Sequence, residues 1–252
     1  MRIALLGDVH ANLPALEAVL SHARHSGVHQ IWNTGDFVGY GAFPNEVIDM
    51  LRQAGALSIV GNYDLKVINF PQKKLKWRKS KRTEKYLAFR WAFKNLKPKN
   101  LRYLAKLPEE ARFELEGRRF LITHGSPASN EEHLTPETPW GRLKQLGEIA
   151  QAEVIICGHS HQSFARLVGQ TWFINTGSVG RPGDGDPRAC YAVLDISRGC
   201  FRVQHFRVEY DIPRAAAAVR RNGLPEAFAQ MILQGYDLET ILEELGSSEQ
   251  EG

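Results

Sequence analysis

The chain has 252 residues, 43% apolar and 24% charged, a mix that fits a packed globular core and excludes disordered or disulfide-scaffold classes. No apolar run reaches the about 20 residues that cross a bilayer, so no membrane partner is expected. The net charge of +4 is mild but uneven: residues 72–102 hold thirteen Lys or Arg against one acid, Glu84, which leaves the rest of the chain net acidic.

In chain order, Ile3-Ala4-Leu5-Leu6 is a short apolar strand that runs into Gly7-Asp8. It is too short for the apolar stretch of a signal peptide, so a cytoplasmic location is expected. A helix follows, with Asn12 as its cap, Pro14 in its first turn, apolar residues at helical spacing and Gly27 as its stop. Residues 30–34 read as a strand ending at Gly35-Asp36. A second helix carries Val47, Ile48 and Leu51, and a third strand, 57–60, ends at Gly61-Asn62. This β-α-β-α-β order predicts a parallel sheet covered by helices.

Residues 72–106 break the alternation, and there the aromatics and leucines interleaved with lysines predict a basic helical insertion. Shorter strands follow at 112–116 and 119–123, a hairpin around Gly117, and then at 154–157, 164–168, 171–174, 190–196 and 201–208. A helix is expected at 143–150, helices at 213–245 and disorder from Ser247 to Gly252. One domain over 1–252 is expected. The three cysteines, Cys157, Cys190 and Cys200, are odd in number and lack CxxC spacing, which fits a reducing compartment.

Five polar clusters follow predicted strands: Gly7-Asp8-Val9-His10, Gly35-Asp36, Gly61-Asn62-Tyr63-Asp64, His124-Gly125 and Gly158-His159-Ser160-His161. Ligands of open α/β sheets bind beyond the carboxyl ends of the strands, so these clusters should converge. The glycines suit a sharp strand exit and close approach. Carboxylate and imidazole together suit manganese foremost, then iron, nickel or zinc. Seven ligands (Asp8, His10, Asp36, Asn62, His124, His159 and His161) are too many for one ion and fit two divalent ions bridged by Asp36. Such ions, ~3.5–4 Å apart, clamp a phosphoryl group and acidify a water. The remaining histidines, His22, His25, His29, His133 and His205, are assigned to surface or core.

The series GDVHAN, GD, GNYD, THG and GHSHQ resembles the calcineurin-like metallophosphoesterase superfamily, in its short bacterial and archaeal phosphodiesterase-like branch. The resemblance runs from Met1 to about Val208 and includes the loop Asn175–Gly180. It implies a four-layer α/β/β/α sandwich, which agrees with parallel strands first and antiparallel strands later. It also implies one ion on Asp8, His10, Asp36 and His161, a second on Asp36, Asn62, His124 and His159, and a bridging hydroxide as nucleophile. Asp64 would support the ligands from behind.

The departure is Tyr63, where many members carry the histidine that orients substrate or protonates the leaving group. Tyrosine titrates near ~10 and is a poor proton donor at neutral pH, so substrates with good leaving groups are favoured. Tyr63 and Arg181 are the candidate catalytic side chains, Arg181 as a phosphate clamp. Asn12, Gly39, Tyr40 and Ser178 are candidate substrate contacts.

The expected activity is a two-metal phosphodiesterase on nucleotide-type or other small phosphate esters. The alternatives are a phosphomonoesterase or protein phosphatase, and a non-catalytic scaffold that the complete ligand set disfavours. Segment 72–102 is either a solvated amphipathic cap or an arm for nucleotides or nucleic acid. The number of copies is not encoded in the sequence, with which a homodimer is compatible.

Overall fold

The computed structural model describes residues 1–248. The apolar runs that end at Gly-Asp form β1 (Arg2–Leu6) and β2 (Gln30–Asn33), with α1 (Leu13–His25) between them and α2 (Pro44–Gln53) after. Asn12 caps α1, its side chain accepting from the Ala15 N–H. The third strand, β3 (Leu57–Ser58), is shorter than expected, because Val60 has left the ladder and donates to the Pro108 carbonyl at 2.9 Å.

Helix begins directly at the predicted ligand Asn62 rather than at 72: α3 (Asn62–Ile68), α4 (Phe70–Ser80), α5 (Thr83–Asn95) and α6 (Pro98–Leu104). The hairpin is β4 (Glu110–Leu115) and β5 (Arg118–Thr123). Glu116, expected in the strand, is a turn residue: it and Gly117 have φ of 51° and 74°, the left-handed pair that a two-residue hairpin turn requires.

The chain continues through α7 (Trp140–Ala150), β6 (Val154–Cys157), β7 (Phe164–Val168), β8 (Thr171–Asn175), β9 (Ala189–Ser197) and β10 (Cys200–Val208). It closes with α8 (Ile212–Arg221), α9 (Glu226–Gln234) and α10 (Leu238–Ser248). The disorder expected from Ser247 is corrected in part. Ser247 and Ser248 end α10, and 249–252 lie outside the described residues.

Among the described residues the strands make two five-stranded sheets, ordered β10-β9-β1-β2-β3 and β4-β5-β6-β8-β7. In the first, β1, β2 and β3 are parallel and β9 and β10 antiparallel. The second departs from the antiparallel reading of the later strands, for β5, β6 and β8 are parallel and only the edges β4 and β7 run against them. The cause is α7, which serves as the crossover that returns the chain beside β5 in the same direction.

Strand alternation assigns each side chain to a layer. Ile3, Leu5, Phe120, Ile122, Val154, Ile156 and Leu194 meet between the sheets. Their neighbours Ala4, Leu6 and Val193 face α1 and α2. Leu121, Ile155 and Phe173 face α7. The result is helix, sheet, sheet, helix. The C-terminal helices add a separate apolar cluster in which Phe228, Met231, Leu238 and Ile241 pack with Tyr40 and with Ala88 of α5. Among the described residues no helix is long and apolar enough to cross a membrane.

Candidate metal centre

Asp8 and His10 follow β1, Asp36 follows β2, His124 follows β5, and His159 and His161 follow β6. Both sheets therefore present their carboxyl ends to one place. The turns that aim these residues are strained. Asp8, His10, Asp36, His159 and His161 all hold φ between 47° and 65°. That left-handed region is uncommon for any residue but glycine, and it concentrates at functional sites.

Of the two roles expected of the preceding glycines, Gly35 fills the first, with a φ of 98°, and Gly7, Gly61 and Gly158 fill only the second, close approach. Gly7, Gly61 and Gly158 do not have positive φ. A Cβ on Gly61 would strike the Asp36 carboxylate and backbone nitrogen, one on Gly158 the Asp8 carboxylate, and one on Gly7 the Thr34 hydroxyl. Absence of a side chain, rather than backbone freedom, is what these three supply.

Two overlapping groups of ligand atoms result, Asp8-His10-His161 and Asp8-Asp36-His124, each with its atoms within 4.8 Å of one another. His161 Nε2 lies 3.3 Å from Asp8 Oδ1 and 3.2 Å from His10 Nε2. Asp36 Oδ2 lies 3.8 Å from His10 Nε2 and 3.5 Å from His124 Nε2. Asn62 Oδ1 is 3.3 Å from His124 Nε2, and the His159 ring is 5.0 Å from that of His124.

The other atoms of these side chains are fixed by the fold. His124 Nδ1 lies 2.8 Å from the Thr34 carbonyl and His10 Nδ1 3.3 Å from that of Val38, contacts that leave each Nε2 pointing inward. Asp36 Oδ1 accepts from the Tyr63 N–H at 2.7 Å and Asp8 Oδ2 from the His159 N–H at 2.9 Å. Asp64 accepts from the N–H groups of Val38 and Gly61 behind the cluster.

Burial pushes His10 down to about 3 and His159 down to about 4, so both rings are neutral with a free lone pair. Burial alone would raise the carboxylates. The neighbouring imidazoles reverse that, His161 holding Asp8 and His124 holding Asp36 below the usual range. Burial opposes charge on His124 too, but the Asp36 carboxylate holds it up at about 9. Asp64, buried and facing Asp36, is raised to about 7.

Two buried atoms at the centre, Asp8 Oδ1 and His159 Nε2, have no hydrogen-bond partner. Unsatisfied buried polar atoms are costly, and a cation here would satisfy both. The donor set of carboxylate oxygens and imidazoles fits a divalent transition metal, which would take the place of the proton on His124.

A cavity of about 590 Å³ opens above the cluster. Its floor includes Asp36, Asn62, His159 and His161. The insertion supplies Tyr63, Lys66, Lys81, Lys85 and Phe89, and Arg181, Asp237 and Glu239 stand opposite. The basic segment therefore both caps the site and presents charge to it. Arg181 stacks over Tyr40, Cζ 4.2 Å from the ring centroid, and its buried Nε has no partner. Among the described residues no carboxylate pairs with it. Burial raises the Tyr63 phenol well above 10, and its hydroxyl is 2.5 Å from that of Tyr40.

Asn12, Gly39, Tyr40 and Ser178 lie outside the lining of this cavity, and Asn12 and Tyr40 line a smaller one that shares Arg181 with it. Each supports a wall. Asn12 Nδ2 donates to the Gly180 carbonyl and to the Tyr210 hydroxyl. Gly39 leaves room for the Tyr63 ring. Tyr40 lies beneath Arg181, and Ser178 Oγ donates to the Asp8 carbonyl and accepts from the Arg181 N–H.

The sequence reading missed Lys66, although it is one turn along α3 from Asn62 and so shares its face. It also set His133 aside, yet that ring lines the cavity 4.3 Å from His159. His22, His25 and His205 do bond within the fold, to Tyr191, Ser21 and Asn175.

Comparison with known proteins agrees with this geometry. Residues 1–199 match the model of the calcineurin-like phosphoesterase superfamily domain. An uncharacterised protein of Methanocaldococcus jannaschii is 32% identical over 253 residues, covering 92% of this chain and 98% of its own. Phosphodiesterase YfcE of Escherichia coli is 27% identical over 209 residues, covering 77% of this chain and 88% of its own. The crystal structure of a metallophosphoesterase from Sphaerobacter thermophilus superposes with a TM-score of 0.75 at 30% identity, over 93% of this chain and 99% of that one. With the motifs, the two-sheet sandwich and the match over 1–199 in agreement, this chain belongs to the calcineurin-like phosphoesterase superfamily.

Proposed function

We propose that this chain is a metal-dependent phosphodiesterase acting on nucleotide-type or other small phosphate esters with good leaving groups. The observation that carries the reading is the convergence of two buried, ionised carboxylates and several imidazoles, with unpartnered atoms, at and beneath the floor of a cavity walled by Arg181 and lysines. Two divalent ions, one on Asp8, His10 and His161, the other on Asn62, His124 and His159, and both on Asp36, would supply a water-derived nucleophile near neutral pH and neutralise phosphoryl charge.

The protein's own groups do the rest. Asp36 has one oxygen anchored by the Tyr63 N–H and the other turned toward both halves of the cluster. Arg181, stacked on Tyr40 and lining the cavity, holds a phosphoryl oxygen. Tyr63 keeps its proton at neutral pH and donates a hydrogen bond rather than a proton, so the leaving group departs most readily when it is already stable as an anion.

Manganese-reconstituted protein should therefore hydrolyse bis(p-nitrophenyl) phosphate faster than p-nitrophenyl phosphate. Asp36→Asn should lose both metals by elemental analysis and the activity with them. A preference for the monoester, or an Asp36→Asn variant that keeps both metals and full turnover, would contradict the assignment.

A further inference from the structure

A second cavity, of about 380 Å³, adjoins the first and shares Asn62, Lys66, Lys81 and Glu131 with it. The groove beyond these shared residues is built from two helical stripes. Asn62, Lys66 and Asn69 are spaced four and three apart along α3 and its C-cap, and Lys73, Trp77 and Lys81 four apart along α4 and its C-cap. Residues at these spacings lie on one face of a helix. The groove thus leads from a cluster residue, Asn62, along a row that reads base, aromatic, base. Lys73 and Lys81 are about 12 Å apart along the helix axis, at 1.5 Å per residue. Its one acid, Glu131, is paired with Lys66 at 2.7 Å and is also near the charge of Lys81, so three lysines of the groove face a single carboxylate. Trp77 is half-buried, one side packed toward Phe89 at a centroid distance of 5.5 Å. It also packs toward Phe70, at a centroid distance of 6.5 Å, and it lines the groove.

We propose that this groove holds the strand beyond the scissile phosphate, and that the natural substrate is a short single-stranded nucleic acid rather than a mononucleotide ester. Lysines following a backbone beside an indole that stacks a base are the elements of sequence-independent single-strand binding. The chemistry is that of the phosphodiesterase reading, on which this inference rests. Water adds to phosphorus, the P–O bond to one nucleoside breaks, and a proton from the water passes to the departing oxygen. A nucleoside alkoxide leaves less readily than an aryl oxide and Tyr63 gives up no proton, so turnover of a strand is slower than that of an aryl diester and depends on the groove to hold the strand in place. The products are a phosphate end and a hydroxyl end.

The test uses the full chain with manganese, a fluorescein-labelled thymidine hexamer and bis(p-nitrophenyl) phosphate. Lys73→Glu is a change at an exposed position and should fold normally, and Trp77→Leu is the second variant. Each should lower the ratio of kcat/KM on the hexamer to that on the aryl diester, by about tenfold. Hexamer binding, followed by fluorescence anisotropy in calcium without turnover, should weaken similarly and fall with added salt. An unchanged ratio in Lys73→Glu, or a wild type that cleaves the aryl diester but neither binds nor cuts the hexamer, overturns the groove and leaves the phosphodiesterase reading standing. Equal affinity for polyglutamate of matched charge overturns the assignment to nucleic acid. Absence of turnover on both substrates with intact hexamer binding counts against the phosphodiesterase reading alone.

Discussion

Asp36 shows how closely the cluster is set into its backbone. Its φ of 55° turns the carboxylate inward, its Oδ1 is held by the Tyr63 N–H, and the α-carbon of Gly61 lies against it with no room for a methyl group. Gly61→Ala should therefore displace Asp36 without altering any ligand. The expected outcome is loss of metal and a stability loss of about 1–3 kcal/mol, the range for inserting a methyl into packed structure. Gly141→Ala, in α7 where a Cβ meets nothing within 4 Å, should instead be neutral or stabilise by ~0.5–1 kcal/mol. Thermal unfolding and metal content of the two variants distinguish the cases, and equal behaviour would remove Gly61 from this role. The residue types of the cluster were legible because Asp, His and Gly recur at strand ends. The strained φ values were not, since left-handed backbone is only mildly favoured by these residues and leaves no mark in a sequence.

The insertion and the tail are tied to the body by two kinds of contact. Lys66 pairs with Glu131 and Lys85 of α5 pairs with Glu239 of α10, each at 2.7 Å and each partly exposed. Pairs of this kind contribute about 0–1 kcal/mol. Ile241 of α10 is fully buried against the cluster that includes Tyr40 and Ala88. Ile241→Ala should cost about 2–5 kcal/mol, and at about 2–4 °C per kcal/mol for a chain of this size it should lower Tm by several degrees or more. Glu239→Gln should shift Tm by a few degrees at most. If the two shifts were equal in a thermal melt, the tail would be held by charge and not by burial. The helices of 72–106 and 213–245 were legible from apolar spacing. The start of the insertion at Asn62 was not, because Gly61-Asn62 reads equally well as a strand exit. The parallel centre of the second sheet escaped because strand order is set by the α7 crossover, while each strand by itself shows only its local pattern.

At the scale of the molecule, the first sheet carries Asp8, His10 and Asp36 and the second carries His124, His159 and His161. Bound metal would join the two sheets directly. A ligand that binds only the native state adds about 4 kcal/mol at a thousand times its Kd. Loading saturating manganese into chelator-treated protein should therefore raise Tm by about 10 °C. A rise no larger than that of a His161→Ala variant would show that the ions do not connect the sheets.

The order in which the chain can be completed follows from the same division. The central strand β1 is flanked on one side by β2, made soon after it, and on the other by β9, whose Asp195 lies opposite Arg2. Until β9 emerges from the ribosome, β1 exposes an unpaired edge, and Ser178, which with Gly180 donates to the Asp8 carbonyl, lacks the Cys190 N–H that binds its own carbonyl. A nascent chain holding His161 but lacking β9 thus possesses every ligand in sequence and no rigid place to set them. On the proposed two-metal reading, metal acquisition would consequently be a late event in the birth of this protein, and a chain truncated before β9 would be a poor competitor for divalent ions.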